Sequence, residues 1–349
     1  MSAKTVGVIG AGAWGTGLAQ ALARGGNTVT MWAMETDVVE GINNNHENTR
    51  FLPGFVLSDK ITASQNIEEV ATDKEFLILA SPSLFIASTV AKILEVPSIA
   101  NGSTCIGVLT KGFVPSAEGP KLILETLESV LPRAYKKNLV YVAGPSHAEE
   151  VAMGKLTGLI AASENPKNAI RFRELLNVKG LMVYSSLDVI GVQICAAAKN
   201  VVAVAFGILD AIAETSCDFG DNAKSLLFAA GLNEIQTLGF AMGATHAETF
   251  TSLSGVGDLD VTCRSQYGRN RRFGQDIVKT DLLSRFKNLD DLIARINEVG
   301  YLPEGAVACK YVHEISVHHG IKLTICDSLY RFLNKELSLE TIMSQLIAR

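Results

Sequence analysis

The chain has 349 residues, 48% of them apolar and 19% charged, with a formal net charge of −5. That length suits two domains, each with enough core to fold without disulfide or metal staples, and the composition excludes a disordered or fibrous chain. The mildly acidic balance leaves no electrostatic footprint for nucleic acid or for an anionic membrane, so neither is expected as a partner.

From Thr5 onward, short apolar runs alternate with helical stretches. TVGVI (5–9) reads as a strand, TGLAQALARGG (16–26) as a helix closed by glycines, and TVTMW (28–32) as the next strand. EFLILA (75–80), TCIGVLT (104–110), NLVYVAG (138–144), TGLIAAS (157–163) and LMVYSS (181–186) follow as further strands. Helical segments such as SLFIASTVAKIL (83–94) and LILETLESVL (122–131) separate them. This alternation predicts an α/β, Rossmann-type doubly wound sheet with mostly parallel strands.

The turn after the first strand is Gly10-Ala11-Gly12-Ala13-Trp14-Gly15, a G-x-G-x-x-G. The motif alone is weak, but here it leaves a strand and opens a helix, the context a dinucleotide needs. Glycines allow the tight turn and let backbone N–H groups approach a pyrophosphate at the helix N-terminus. Trp14 is bulky for this place, and its side chain is expected to lie on the cofactor or substrate side. Ribose selection should fall about 20 residues on, where Glu35 stands a little past the end of TVTMW. No Arg or Lys occurs in that loop before Arg50, so NAD is favoured as cofactor, with NADP possible.

The stretch ICAAAKNVVAVAFGILDA (194–211) is too long and alanine-rich for a strand and reads as a helix packed on most sides. Its length would cross a membrane, but Lys199 near the middle costs about 3 kcal/mol on insertion scales, so a core helix is expected rather than a span. Burying an unpaired charge is more expensive still. Lys199 therefore snorkels to water, pairs structurally, or works. Asp210 lies roughly 16 Å further along the same helix and reads as a cap or a pair near its end.

The six cysteines (105, 195, 217, 263, 309 and 326) show no C-x-x-C and no histidines at ligand spacing, so no metal is expected and a reducing, cytoplasmic setting suits them. With the first strand starting by Thr5, no room is left for a signal peptide. His147 and the pair His318-His319 are weak candidates for chemistry, and Cys195 and Cys263 have no obvious activating neighbour.

Several further stretches occur in a specific order: HEN..FLPG from His46, PSLF (82–85), TKG (110–112), AGPSHAEEVA (143–152), the lysine stretch followed by FGDNAKS, SGVGDLDVTC (254–263), YGRNRRFG (267–274) and LPEG (302–305). Together they resemble the NAD(P)-dependent glycerol-3-phosphate dehydrogenases, from about Thr5 to the region Leu302–Tyr330. The resemblance implies a dinucleotide-binding domain over 1–187 and an all-α substrate and catalytic domain over 188–349, with a cleft between them. It implies reversible hydride transfer between sn-glycerol 3-phosphate, a small phosphorylated three-carbon substrate, and dihydroxyacetone phosphate. It also implies a homodimer, and a place linking glycolysis to glycerophospholipid and glycerol metabolism and to NADH balance.

Carried onto this sequence, the resemblance makes Lys199 the general acid/base, puts Lys111 close to the substrate oxygens and the cofactor, and sets Asp258 beside the amine. Gly144 and Ser146 match a substrate loop, with Ala148 on the cofactor side. Gly268, Arg269 and Asn270 match the segment that holds the substrate phosphate, Arg269 also lying near the cofactor, while Arg271 and Arg272 remain structural or peripheral. Phe85 matches an aromatic near the nicotinamide, and Glu304 a cofactor contact. Two positions depart from the pattern: Met34 stands where relatives carry His or Phe, and Gly268 where bacterial relatives carry Ser.

A proton donor is what carbonyl reduction requires. An ordinary lysine near pKa 10.4 exchanges poorly at neutral pH; burial and a second cation such as Lys111 would lower it, and Asp258 would oppose them. A β-hydroxyacid dehydrogenase, which also places a lysine on its interdomain helix, is the nearest rival; GRNRRFG favours a phosphate monoester instead. A cofactor-sensing regulator is the rival from another class, and the presence of both Lys199 and Asp258 argues against it.

Overall fold

The computed structural model describes residues 3–342, and these divide into two compact units. The first runs to Val114 and resumes from Lys121 to Val189; the second takes Pro115–Pro120 and everything from Ile190 on.

The first unit is built on ten strands: β1 Thr5–Ile9, β2 Thr28–Trp32, β3 Ile61–Ser64, β4 Phe76–Leu79, β5 Cys105–Val108, β6 Phe113–Val114, β7 Lys121–Leu122, β8 Val140–Ala143, β9 Thr157–Ala162 and β10 Leu181–Ser186. Eight of them form one sheet in the order β10-β9-β8-β5-β4-β1-β2-β3, and β6 and β7 make a separate antiparallel pair. Every pairing in the large sheet is parallel except β8 with β9. β4, β5 and β8 are buried along their whole length, which is why they read as unbroken apolar runs rather than alternating ones. The chain leaves β1 toward β2 on one side and reaches β4 on the other, so the strand order reverses at β1. The crevice beyond the carboxyl end of such a strand is where open α/β sheets bind ligands.

Each strand expected from the sequence is present. β3 was not anticipated: four residues with only Ile61 and Ala63 buried carry too little pattern to register. SLFIASTVAKIL is not one helix but a 3-10 turn at Ser83–Phe85, a helical turn at Ile86–Val90 and another 3-10 turn at Ala91–Ile93. Its β-branched Ile86, Thr89, Val90 and Ile93 are weak helix formers, so regular geometry yields to packing.

The second unit is helical. Its axis is the lysine helix, Val189–Ala213, in which residues 191–211 are buried without interruption. It is the one described helix long and apolar enough to cross a membrane, and 94% of its most apolar window lies inside the protein, as expected of a core helix. Around it lie Asp221–Ala241, Asp258–Arg264, Arg269–Lys279, Glu304–His319 and Thr324–Leu333. The start of the last is secured by Glu234, a buried carboxylate that accepts from the N–H groups of Ile325 at 2.7 Å and Cys326 at 3.1 Å. A carboxylate there satisfies two of the four unpaired donors at a helix start and complements its dipole.

Candidate active site

In the first unit the glycine turn joins β1 to the helix Ala13–Arg24. Gly10 adopts φ +120°, a region closed to most side chains, and a carbon added to Gly15 would sit 2.2 Å from the Gly10 carbonyl oxygen. Gly12 is different: an added carbon meets nothing within 4 Å, so open space lies directly over the helix start. No side chain caps that helix, and its first N–H groups face an uncovered end. Asn48 braces the turn from outside, its Nδ2 donating to the Ala11 carbonyl and to Thr16 Oγ1, both at 2.8 Å. Nearby, Trp14 packs against the core of this unit, while its buried indole N–H has no hydrogen-bond partner among the described residues. An uncovered helix start and an orphaned donor beside it fit a dinucleotide pyrophosphate.

The remaining expected residues of this unit lie in loops, turns or helix starts that follow strands. Glu35 opens the helix Thr36–Asn45 just after β2. Arg50, the first cation past β2, is paired with Asp37 at 3.3 Å. Phe85 is exposed in its 3-10 turn, and Lys111 is half-buried between β5 and β6. Past β8, Gly144 has φ +136° and an added carbon would meet the Gly158 carbonyl oxygen at 2.6 Å, so the position needs glycine; Ser146 Oγ donates to the Gly144 carbonyl at 2.9 Å. Ala148 is buried with its carbonyl against Gly17 of the first helix. His147 ends the same loop as the residue before the helix Ala148–Met153.

The second unit gathers the others. Lys199 is 5% exposed, and its Nζ donates to the Asp258 carboxylate and, at 2.9 Å, to Thr262 Oγ1. Asp258, 1% exposed, is delivered by an unusual backbone: a π-helical turn at Leu253–Gly257 leads straight into the helix Asp258–Arg264. Gly255 makes that turn possible, since an added carbon would lie 2.0 Å from the Phe250 carbonyl oxygen. Such turns recur where a site needs a side chain re-aimed. Thr262, one helical turn after Asp258, donates to the Asp258 carbonyl at 2.6 Å and so orients its own oxygen toward the amine. The buried amine is paired, which removes the snorkelling alternative. Cys263 is buried beside it, and burial pushes its thiol up to about 12, which leaves it inert.

Gly268 packs under Thr262, where an added carbon would stand 2.9 Å from the Thr262 carbonyl oxygen; a serine here would need the backbone to shift. Gly268 opens the helix Arg269–Lys279, on which Asn270 is buried and Arg269 exposed. Asn270 Oδ1 accepts from the Gly305 N–H at 2.8 Å, which fixes the amide so that its Nδ2 donors face the other way. Among the described residues the Arg269 side chain makes no hydrogen bond or ion pair. Glu304 begins the helix Glu304–His319 and lies 3.5 Å from Asn200 Nδ2, the residue after Lys199. His318 and His319 end that helix on the surface, and the described residues hold no metal-ligand cluster.

Two residues in this cluster were given no site role from sequence, Thr262 and Asn200. Thr262 stands four places after Asp258, so helical spacing alone would have put both on one face. Asn200 carried no signal beyond being polar in an apolar run.

A Rossmann-type sheet with an open glycine turn, joined to a helical unit with a buried and paired lysine, defines the two-part nicotinamide-dependent dehydrogenases. The comparisons narrow this. The sequence profile described as the NAD-dependent glycerol-3-phosphate dehydrogenase N-terminus matches residues 5–169, and that of the corresponding C-terminus matches residues 188–344. The chain is 57% identical over 338 residues to glycerol-3-phosphate dehydrogenase [NAD(P)+] of Treponema denticola, covering 95% of each. It is 36% identical to the Bacillus subtilis protein of the same name, covering 99% of this chain and 94% of that one. The crystal structure of glycerol-3-phosphate dehydrogenase from Coxiella burnetii superimposes with a TM-score of 0.84 at 27% identity, covering 99% of both chains. The chain belongs to the NAD-dependent glycerol-3-phosphate dehydrogenase family and is an NAD(P)-dependent oxidoreductase.

Proposed function

We propose that this enzyme interconverts sn-glycerol 3-phosphate and dihydroxyacetone phosphate, with Lys199 as the general acid/base. The observation that carries the reading is the buried Lys199 amine held between Asp258 and Thr262. A surface lysine would be hydrated and free to swing; here burial excludes water, and Asp258 and Thr262 fix where the amine points. Gly10–Gly15, with Ala11, Ala13 and Trp14, would hold the nicotinamide cofactor, which when bound would supply or accept the hydride at the substrate's central carbon.

In the reducing direction the ammonium of Lys199 gives a proton to the carbonyl oxygen as negative charge develops there; in the other it takes the proton from the alcohol. Sum and charge balance as glycerol 3-phosphate plus NAD(P)+ giving dihydroxyacetone phosphate, NAD(P)H and one proton. Asp258 aims the amine and Thr262 fixes the remaining direction. Family resemblance supports giving Lys111, Gly144 and Ser146 a part at the substrate oxygens, and Phe85, Lys111, Ala148, Arg269 and Glu304 a part at the cofactor.

Arg269, Asn270 and the helix start behind Gly268 hold the substrate phosphate. A guanidinium fork, amide donors and free backbone N–H groups suit its three oxygens. Binding energy from this remote group positions the reacting carbon. Glu35, just past β2, suits a ribose hydroxyl and repels a 2′-phosphate, and Arg50 is already engaged by Asp37, so NADH is the better substrate. Family resemblance supports a homodimer, a cytoplasmic setting, and a role joining glycolysis to glycerophospholipid and glycerol metabolism and NADH balance.

The test follows absorbance at the nicotinamide band with dihydroxyacetone phosphate and either NADH or NADPH. Oxidation of NADH is expected, at higher kcat/KM than NADPH. No oxidation of either would overturn the activity, and a preference for NADPH would overturn the part given to Glu35.

A further inference from the structure

The phosphate clamp proposed above leaves one question open: what holds Arg269 in place. Its side chain makes no hydrogen bond or ion pair among the described residues, so its position is inherited from the backbone turn beneath it. That turn is restrained by its next two residues. Asn270 is tied to Gly305 by the 2.8 Å hydrogen bond. Arg271 turns the opposite way, and its Nε donates at 2.6 Å to Asp210 Oδ2 on the lysine helix.

Asp210 is 5% exposed, and its other oxygen accepts from Lys224 at 2.8 Å. Both carboxylate oxygens are thereby engaged by cations, and the side chain has no freedom to follow a drifting arginine. Arg271 also reaches the Arg264 carbonyl at 3.3 Å, the last residue of the helix that begins with Asp258. One guanidinium thus joins the helices that carry Lys199, Asp258 and Arg269. Beneath it the two helices touch by backbone. A carbon added to Gly207 would lie 2.0 Å from the Arg271 carbonyl oxygen, and one added to Gly274 would lie 2.1 Å from that of Val204. Such contact fixes the separation of the helices but not the rotation of the RNRR turn about its axis. A directional, charge-assisted bond does fix that rotation.

We propose that Asp210 and Arg271 are a positioning pair for the phosphate site, setting the rotation of the turn that presents Arg269 and Asn270. Neither touches the substrate. The inference rests on the phosphate clamp of the preceding section. Its signature is selective: affinity for the phosphate group falls, while chemistry on a substrate without one does not.

The test compares wild type, Arg269→Ala, Asp210→Asn and Arg271→Lys. Each is assayed with dihydroxyacetone phosphate, with unphosphorylated dihydroxyacetone, and with inorganic phosphate as competitive inhibitor. Asp210→Asn should raise both KM for dihydroxyacetone phosphate and the inhibition constant of phosphate about tenfold, the scale of one misdirected charge-assisted hydrogen bond. Its kcat/KM for dihydroxyacetone, per folded enzyme, should stay within about twofold of wild type. Arg271→Lys, which keeps the charge but loses the fork, should raise the same two constants less. KM and the inhibition constant do not depend on the amount of active enzyme, so partial unfolding cannot imitate this result. Unchanged constants in both variants, with Arg269→Ala impaired as expected, overturn the positioning pair alone; an unimpaired Arg269→Ala overturns the clamp on which it rests.

Discussion

Replacing Lys199 by methionine removes the amine and keeps most of the buried stem, so it isolates the charge. Asp258, 1% exposed, then loses its cation in a place water does not reach. Removing one member of a buried pair costs about 3–5 kcal/mol, a large part of a domain stability of about 5–15 kcal/mol. For a helical unit of this size that lowers the melting temperature by about 10 °C. Loss of the proton donor lowers kcat by a further, separate factor of about 10²–10⁴. The two effects come apart in the double variant Lys199→Met/Asp258→Asn. Neutralising the stranded carboxylate while keeping a hydrogen-bonding side chain returns most of the stability and none of the activity. Thermal melts and NADH oxidation with dihydroxyacetone phosphate read the two quantities on the same samples. Activity above a tenth of wild type in Lys199→Met, or activity returning with stability in the double variant, refutes the role given to the amine.

Arg269→Ala should lower kcat/KM for dihydroxyacetone phosphate by a factor of about 100 and change that for unphosphorylated dihydroxyacetone far less, since the guanidinium's contact with the substrate is at the phosphate; equal losses for both substrates would show that it is not. Gly12→Val directs a side chain into the open space above the first helix, so the protein should melt normally yet fail to quench or enhance bound-NADH fluorescence. Gly15→Ala, by contrast, forces a carbon against the Gly10 carbonyl oxygen and should lower the melting temperature itself; the reverse pattern would mean the turn is misassigned. At pH 8 a disulfide-exchange reagent should label Cys217, which is exposed, and spare the other cysteines, which are buried. Burial raises Cys105 to about 11 and Cys263 to about 12. A raised thiol pKa means less thiolate at any pH below it, on the order of 10⁻³ to 10⁻⁴ here. Labelling of Cys263 as fast as Cys217 in the native protein would contradict its burial beside the amine.

Much of this protein was legible in the chain itself. Period and run length decide the strands of a buried parallel sheet, because such strands need no alternation and announce themselves as unbroken apolar runs. The glycine turn was readable because backbone sterics are local: φ at Gly10 and the clash at Gly15 involve residues a few places apart. Lys199 stood out because charge in an apolar helix is expensive wherever the helix ends up. What sequence left open was how that expense is met. Asp258 and Thr262 lie some 60 positions away, and a π-helical turn set by Gly255 brings them to the amine. Asp210 likewise read as a cap or a pair without a partner. Only the crossing of two helices through Gly207 and Gly274 brings Arg271 onto it. Local sterics and burial patterns are written in neighbouring residues, whereas the partner of a buried charge is chosen by packing between segments far apart in the chain.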